Sequence, residues 1–162
     1  MVGFASCSQN QKVISKNIAS IFSISDDIRT YFSDKPSYWG LSTNYVLEKS
    51  IISQNYVSNG KIVLKDNKEI SIGQGYQATP VTPNAKTFDI VLKGLNKAEC
   101  ISYLEAEISK TNLVKLYSIS LINNNINLMF MWGNTNTPLP IKKYTGRSVC
   151  DADNNTIVWS IY

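Results

Sequence analysis

At 162 residues the chain fits one domain, and its 43% hydrophobic and 17% charged residues describe a folded globular protein rather than a disordered one. A net charge of +4, carried by scattered lysines without an arginine-rich stripe, argues against nucleic acid as a partner. With no histidine, Ser–His–Asp and Cys–His nucleophiles and the commonest zinc ligand are excluded, and no carboxylate pair stands in an obvious motif. The chain therefore reads as a binding protein rather than an enzyme, with no cofactor and no metal.

Residues 1–8 lack the long apolar stretch of a signal peptide and read as the remnant of a truncated N-terminal segment. Phe4-Ala5-Ser6-Cys7 has the look of a lipoprotein cleavage site, without the apolar run that should precede it. Residues 9–162 read as a single globular domain. From Gln9 to Phe32, apolar residues recur at Ile14, Ile18, Ile21, Ile28 and Phe32, the stripe of a long helix packed on a core. Lys16 and Asn17 fall on its polar side, and Ser23-Ile24-Ser25-Asp26-Asp27 predicts a bend or a new N-cap. Pro36 ends whatever helix reaches it.

A short helix follows from Thr43 to Ser53, with Ser42 or Thr43 as N-cap. Lys61–Leu64 and Glu69–Ile72 predict two short strands around Asp66-Asn67-Lys68, and Gly73–Lys86 a loop. Phe88, Ile90 and Leu92 alternate with Asp89, Val91 and Lys93, a strand with one apolar face. Asn96 to Glu99 has the spacing of a capping box, and the helix behind it would align Cys100, Ile101, Leu104 and Ile108. Val114–Ile122 and Ile126–Trp132 predict a hairpin across Asn123-Asn124-Asn125, since asparagine tolerates positive φ. A loop holding Pro138 and Pro140 leads to Cys150, and Thr156–Tyr162 predicts a closing strand.

Of the three cysteines, Cys100 and Cys150 lie within the folded body, and none forms a CxxC pair. They read as a disulfide with Cys7 left over; two buried thiols in a cytosolic protein are the alternative. Other clusters have plain readings beside sharper ones. Asp151-Ala152-Asp153-Asn154-Asn155 begins like a calcium loop but lacks the central Gly and distal Glu, so a polar turn serves equally. Lys142, Lys143 and Arg147 near Tyr144 form a basic patch, either solvated surface or an anion site. Trp39, Trp132 and Trp159 would line a sugar-binding surface if they met, although strand tryptophans are more often core.

The block Phe88-Asp89-Ile90-Val91-Leu92-Lys93-Gly94-Leu95-Asn96-Lys97-Ala98-Glu99-Cys100 resembles the strand–loop–helix block of type IVb pilins. Tyr38-Trp39-Gly40-Leu41-Ser42-Thr43 resembles the aromatic-Gly-Leu-Thr segment after their first helix. The resemblance implies an α+β type IV pilin-like fold, with a long N-terminal helix on a mostly antiparallel sheet and a Cys100–Cys150 disulfide in the C-terminal region. It also implies an apolar helical half, absent from this sequence, that anchors the full-length protein in the inner membrane before export into an extracellular pilus. Partners would be major and minor pilin subunits, the pilus assembly machinery and a host surface ligand. The segment from Ile101 to Val149 diverges from major subunits, which favours a minor pilin at the filament tip or in assembly initiation over a major pilin. A secreted or lipid-anchored adhesin or inhibitor without a pilus role is the reading from another class.

Overall fold

The computed structural model describes residues 3–74 and 82–162, with side chains in the first helix described from Asn10 onward. The side chain of Cys7 and the expected loop glycine Gly75 with Pro80 lie outside the described residues. Helix α1 (Gly3–Tyr31) opens the fold and continues in one more turn bond, Phe32 N–H to the Ile28 carbonyl. Ile14, Ile18, Ile21, Phe22, Ile24, Ile28 and Phe32 are all buried. The new N-cap considered at Ser23–Asp27 does not form, and the helix runs through these residues. Buried Ile24 anchors that turn, Ser25 Oγ donates to the Phe22 carbonyl at 2.7 Å, and both Asp26 oxygens accept from Lys115 Nζ at 2.8 Å. Tertiary packing overrides the weak local propensity here.

Helix α2 (Thr43–Glu48) is capped by Ser42, whose hydroxyl accepts from the Tyr45 N–H. It leads to strands β1 (Val57–Ser58), β2 (Lys61–Val63) and β3 (Glu69–Gly73). The β2–β3 turn places Asn67 at φ 62°, a left-handed position that asparagine tolerates. Strand β4 (Phe88–Leu95) then runs into α3 (Lys97–Leu104), a short turn of helix α4 (Lys110–Leu113), the hairpin β5 (Leu116–Ile122) and β6 (Asn127–Met131), α5 (Thr145–Val149) and β7 (Asn155–Ile161).

These strands form one seven-stranded sheet, every neighbouring pair antiparallel, in the order β1-β2-β3-β4-β7-β5-β6. The last strand is thus inserted between β4 and β5, in the interior of the sheet. Registers align Ile72, Ile90, Trp159, Ile119 and Phe130 in one row, and Ile70, Leu92, Ile157, Leu121 and Leu128 in the next. Side chains alternate across a strand, so these rows form one apolar face, and that face joins the α1 stripe in a single core. Each fully buried large aliphatic here contributes about 1.5–3 kcal/mol relative to exposure.

The other face departs from the simple alternation expected for β4. Asp89, Val91, Val158, Ser118, Ser120 and Ser160 are buried there too, and Ser160 Oγ donates to Asp89 Oδ1 at 2.5 Å. The hairpin between β5 and β6 also closes differently. Residues 123–125 take no positive φ; instead Asn123 Oδ1 accepts the N–H groups of Asn125 and Ile126 at 2.9 and 3.0 Å. Both flanks of the sheet are covered locally. Thr137 and Leu139 occupy the Met131 backbone groups beside β6, and Thr43 Oγ1 satisfies both backbone groups of Ile72 where β2 stops short. Among the described residues, no helix is long and apolar enough to cross a membrane.

Candidate subunit-contact surface

The C-terminal half is organised around α3. Its start is fixed locally: Asn96 Oδ1 accepts the Glu99 N–H at 2.9 Å while Glu99 Oε2 accepts the Asn96 N–H at 3.0 Å. Partial burial raises the pKa of Glu99, but the hydrogen bonds from Lys68 and Asn96 and the charge of Lys68 outweigh it, leaving the carboxyl below its usual value. This cap aims Cys100 into the body, where it is fully buried and bonded to the equally buried Cys150, with the Cα atoms 5.9 Å apart. Helix α3 ends at Leu104, so Ile108 does not continue its apolar face as the spacing suggested. The short helix α5, expected as loop, sits before Cys150 because the bridge draws it against α3. Gly146 makes this possible: a Cβ there would meet the Ile101 Cα at 3.1 Å.

The structure separates residues that the sequence invited one to group. Trp159 is buried against Tyr103, with ring centroids 6.3 Å apart, so it shares no surface with the exposed Trp39 and Trp132. The Asp151 carboxylate accepts from the side-chain amides of Asn123 and Asn125, linking the turn before β7 to the β5–β6 hairpin. Lys143 and Arg147 flank the Tyr144 ring at 5.5 and 5.1 Å, so part of the basic patch packs on that aromatic ring.

Three large apolar or aromatic side chains between the two cysteines face solvent: Val114 (73% exposed), Trp132 (47%) and Tyr144 (57%). Trp39 (53%) projects from the segment after α1. Beneath it, Tyr38 is wedged between Phe32 and Phe88, with centroids 5.3 and 4.8 Å away, and Tyr31 meets Tyr45 edge-on. Burial raises the Tyr38 hydroxyl above its ordinary pKa despite the opposing charge and hydrogen bond of Arg29. Exposed aromatics thus stand in two stretches of the chain, the loop after α1 and the disulfide-closed region, which suits contact with other proteins. The sequence reading missed Tyr162 and Val114, whose exposure depends on where β5 and β7 end.

A long helix laid on an antiparallel sheet, with the final strand inside the sheet and a disulfide closing the C-terminal region, is the architecture of a type IV pilin. The solved structure of TcpA, a type IV pilin from Vibrio cholerae El Tor biotype, superposes with a TM-score of 0.59 at 13% sequence identity, covering 95% of this chain and 99% of that one. The family model described as Bundlin matches residues 5–139, and the chain belongs to the Bundlin family of type IVb pilins. Members of this family are structural rather than enzymatic, subunits that assemble with other pilins into extracellular pili. No curated protein matches the chain significantly in sequence.

Proposed function

We propose that this chain is a minor pilin, a low-copy subunit that acts in pilus initiation or at the filament tip through contacts with the major pilin, other minor pilins and the assembly machinery. The observation that carries this reading is the Ile101–Val149 segment. It is pinned by the Cys100–Cys150 bridge and presents Val114, Trp132 and Tyr144 to solvent. Exposed aromatics on a disulfide-closed support suit a specific contact with a partner subunit. Residues 9–162 are the globular unit in this reading. Residues 1–8 are the remnant of a truncated N-terminal segment, and an apolar helical half outside this sequence anchors the full-length protein in the inner membrane before assembly.

The deciding experiment is quantitative mass spectrometry of pili sheared from the producing cells, combined with deletion of the coding sequence. A minor pilin gives far fewer copies than the dominant subunit, and its deletion abolishes or shortens pili. Recovery as the dominant subunit would reassign the chain as a major pilin, and absence from intact pili of normal number would refute a role in the filament.

A further inference from the structure

A cleft of 370 Å³ opens where α1 ends, beside the last residues of β7. Its cations are Arg29, Lys35 and Lys86, and its aromatic walls are Phe32, Tyr38 and Tyr162. No acidic side chain lines it among the described residues. The size falls at the lower end of the roughly 300–1,000 Å³ of ligand pockets and accommodates a single substituted ring.

The cations are held in place. Arg29 Nε donates to the Tyr162 carbonyl at 2.8 Å, and its Nη1 lies 3.4 Å from Asp26 Oδ1. Lys35 Nζ donates to the Tyr31 carbonyl at 2.9 Å and lies 3.3 Å from Asp34 Oδ1, offsetting the negative end of α1. Lys86 Nζ donates to the Pro36 carbonyl, tying the loop after α1 to the segment before β4. A guanidinium and two ammonium groups converging on one cleft suit an anionic group. The aromatic walls would add little for a bare inorganic anion, but they match the C–H face of a sugar ring.

The aromatic surface continues past the cleft. Tyr162 meets Tyr117 edge-on at 5.5 Å, and its N–H donates to the Lys115 carbonyl. Trp132 Nε1 donates to the next carbonyl, that of Leu116, at 3.1 Å. We propose that this cleft binds an acidic sugar, its carboxylate or sulfate held by Arg29, Lys35 and Lys86 and its ring set against Tyr38 and Tyr162. A neighbouring sugar unit would lie toward Tyr117 and Trp132. This inference goes beyond the role in assembly and stands or falls independently of it.

The test is calorimetric or NMR titration of the purified protein with 3′-sialyllactose, a sulfated heparin disaccharide and neutral lactose. One or both acidic probes should bind while lactose does not, and the stronger of the two identifies carboxylate or sulfate as the natural group. The Lys35→Glu/Lys86→Glu double variant should lose roughly tenfold or more in affinity, equivalent to about 1.4 kcal/mol, with a melting temperature lowered by the lost carbonyl contacts but still above the assay temperature. Should that variant fold poorly, Lys35→Gln/Lys86→Gln keeps hydrogen-bond donors and removes the charges, and the same loss is expected. Equal binding of lactose and 3′-sialyllactose, no binding of either acidic probe, or undiminished affinity in a folded variant overturns the proposal.

Discussion

Asn17 and Tyr103 lie 86 residues apart in sequence and meet inside the protein, where the Asn17 side-chain amide donates to the Tyr103 hydroxyl at 2.7 Å. The carbonyl oxygen of the same asparagine accepts the Lys65 N–H at 3.1 Å, and the Tyr103 hydroxyl reaches Asp66 Oδ2 at 3.5 Å. One buried polar side chain therefore joins the long helix, the disulfide-bearing helix and the β2–β3 turn. In the sequence Asn17 falls on the polar side of the helical stripe. In the structure it is fully buried, because α3 packs along that flank of α1.

Removing this junction deletes two hydrogen bonds at a buried side chain. Asn17→Ala leaves the buried Tyr103 hydroxyl with only its long contact to Asp66 and removes the acceptor of the Lys65 N–H, and is expected to cost about 1–3 kcal/mol. Urea denaturation followed by tryptophan fluorescence, in which the buried Trp159 reports unfolding, measures it. A midpoint equal to that of the parent protein would show that the junction contributes nothing.

The same tyrosine predicts an alkaline response. Burial pushes the Tyr103 hydroxyl well above its ordinary value of 10.0, and the nearby Asp66 adds to this against the opposing hydrogen bond from Asn17. The folded state then keeps a proton that the unfolded chain releases, so stability falls as the pH rises past about 10. Tyr103→Phe should flatten that decline, leaving a smaller slope from Tyr38, whose hydroxyl is shifted the same way. Melting temperatures of both proteins between neutral pH and strong alkali give the comparison; parallel curves would exclude Tyr103 as the source.

Cys100→Ser and Cys150→Ser each open a bridge spanning 50 residues, which the chain-entropy treatment values at about 4 kcal/mol. Both single variants and the double variant should lose similar stability, since all three lack the same bond. Thermal unfolding and limited proteolysis of the C-terminal region provide the readout, with reductant reproducing the effect in the parent protein. Protease resistance unchanged by reductant would mean that packing alone holds α5 against α3.

Gly146→Ala tests how closely those helices approach. The added methyl would stand 3.1 Å from the Ile101 Cα and 3.1 Å from Glu105 Oε1, and the backbone neighbour has little freedom to yield. Overpacking of this kind costs about 1–3 kcal/mol. The loss should shrink when Cys100 is also replaced by Ser, because α5 is then free to move away. Strictly additive losses in the double variant would place the strain elsewhere.

Much of the fold is legible in the residues because it rests on local patterns. The spacing Ile14, Ile18, Ile21, Ile28 predicts the buried face of α1, and the alternation of Phe88, Ile90 and Leu92 predicts β4. The Asn96–Glu99 capping box appears with both of its hydrogen bonds, since a cap depends only on residues three positions apart. The type IVb pilin resemblance, carried by Phe88–Cys100 and Tyr38–Thr43, agrees with the family and fold found.

What the sequence by itself determined are the features whose energies close within a few residues: helix stripe, strand alternation, caps and turns. Only the tertiary structure decided the placement of β7 between β4 and β5, the burial of Asn17 and Trp159, and the unbroken run of α1 through Ser23–Asp27. It alone brought Lys86 to the cleft that Arg29 and Lys35 line at the end of α1. Those outcomes depend on contacts between residues tens of positions apart. Long-range burial and pairing outweigh the sub-kcal/mol local preferences that a linear reading weighs.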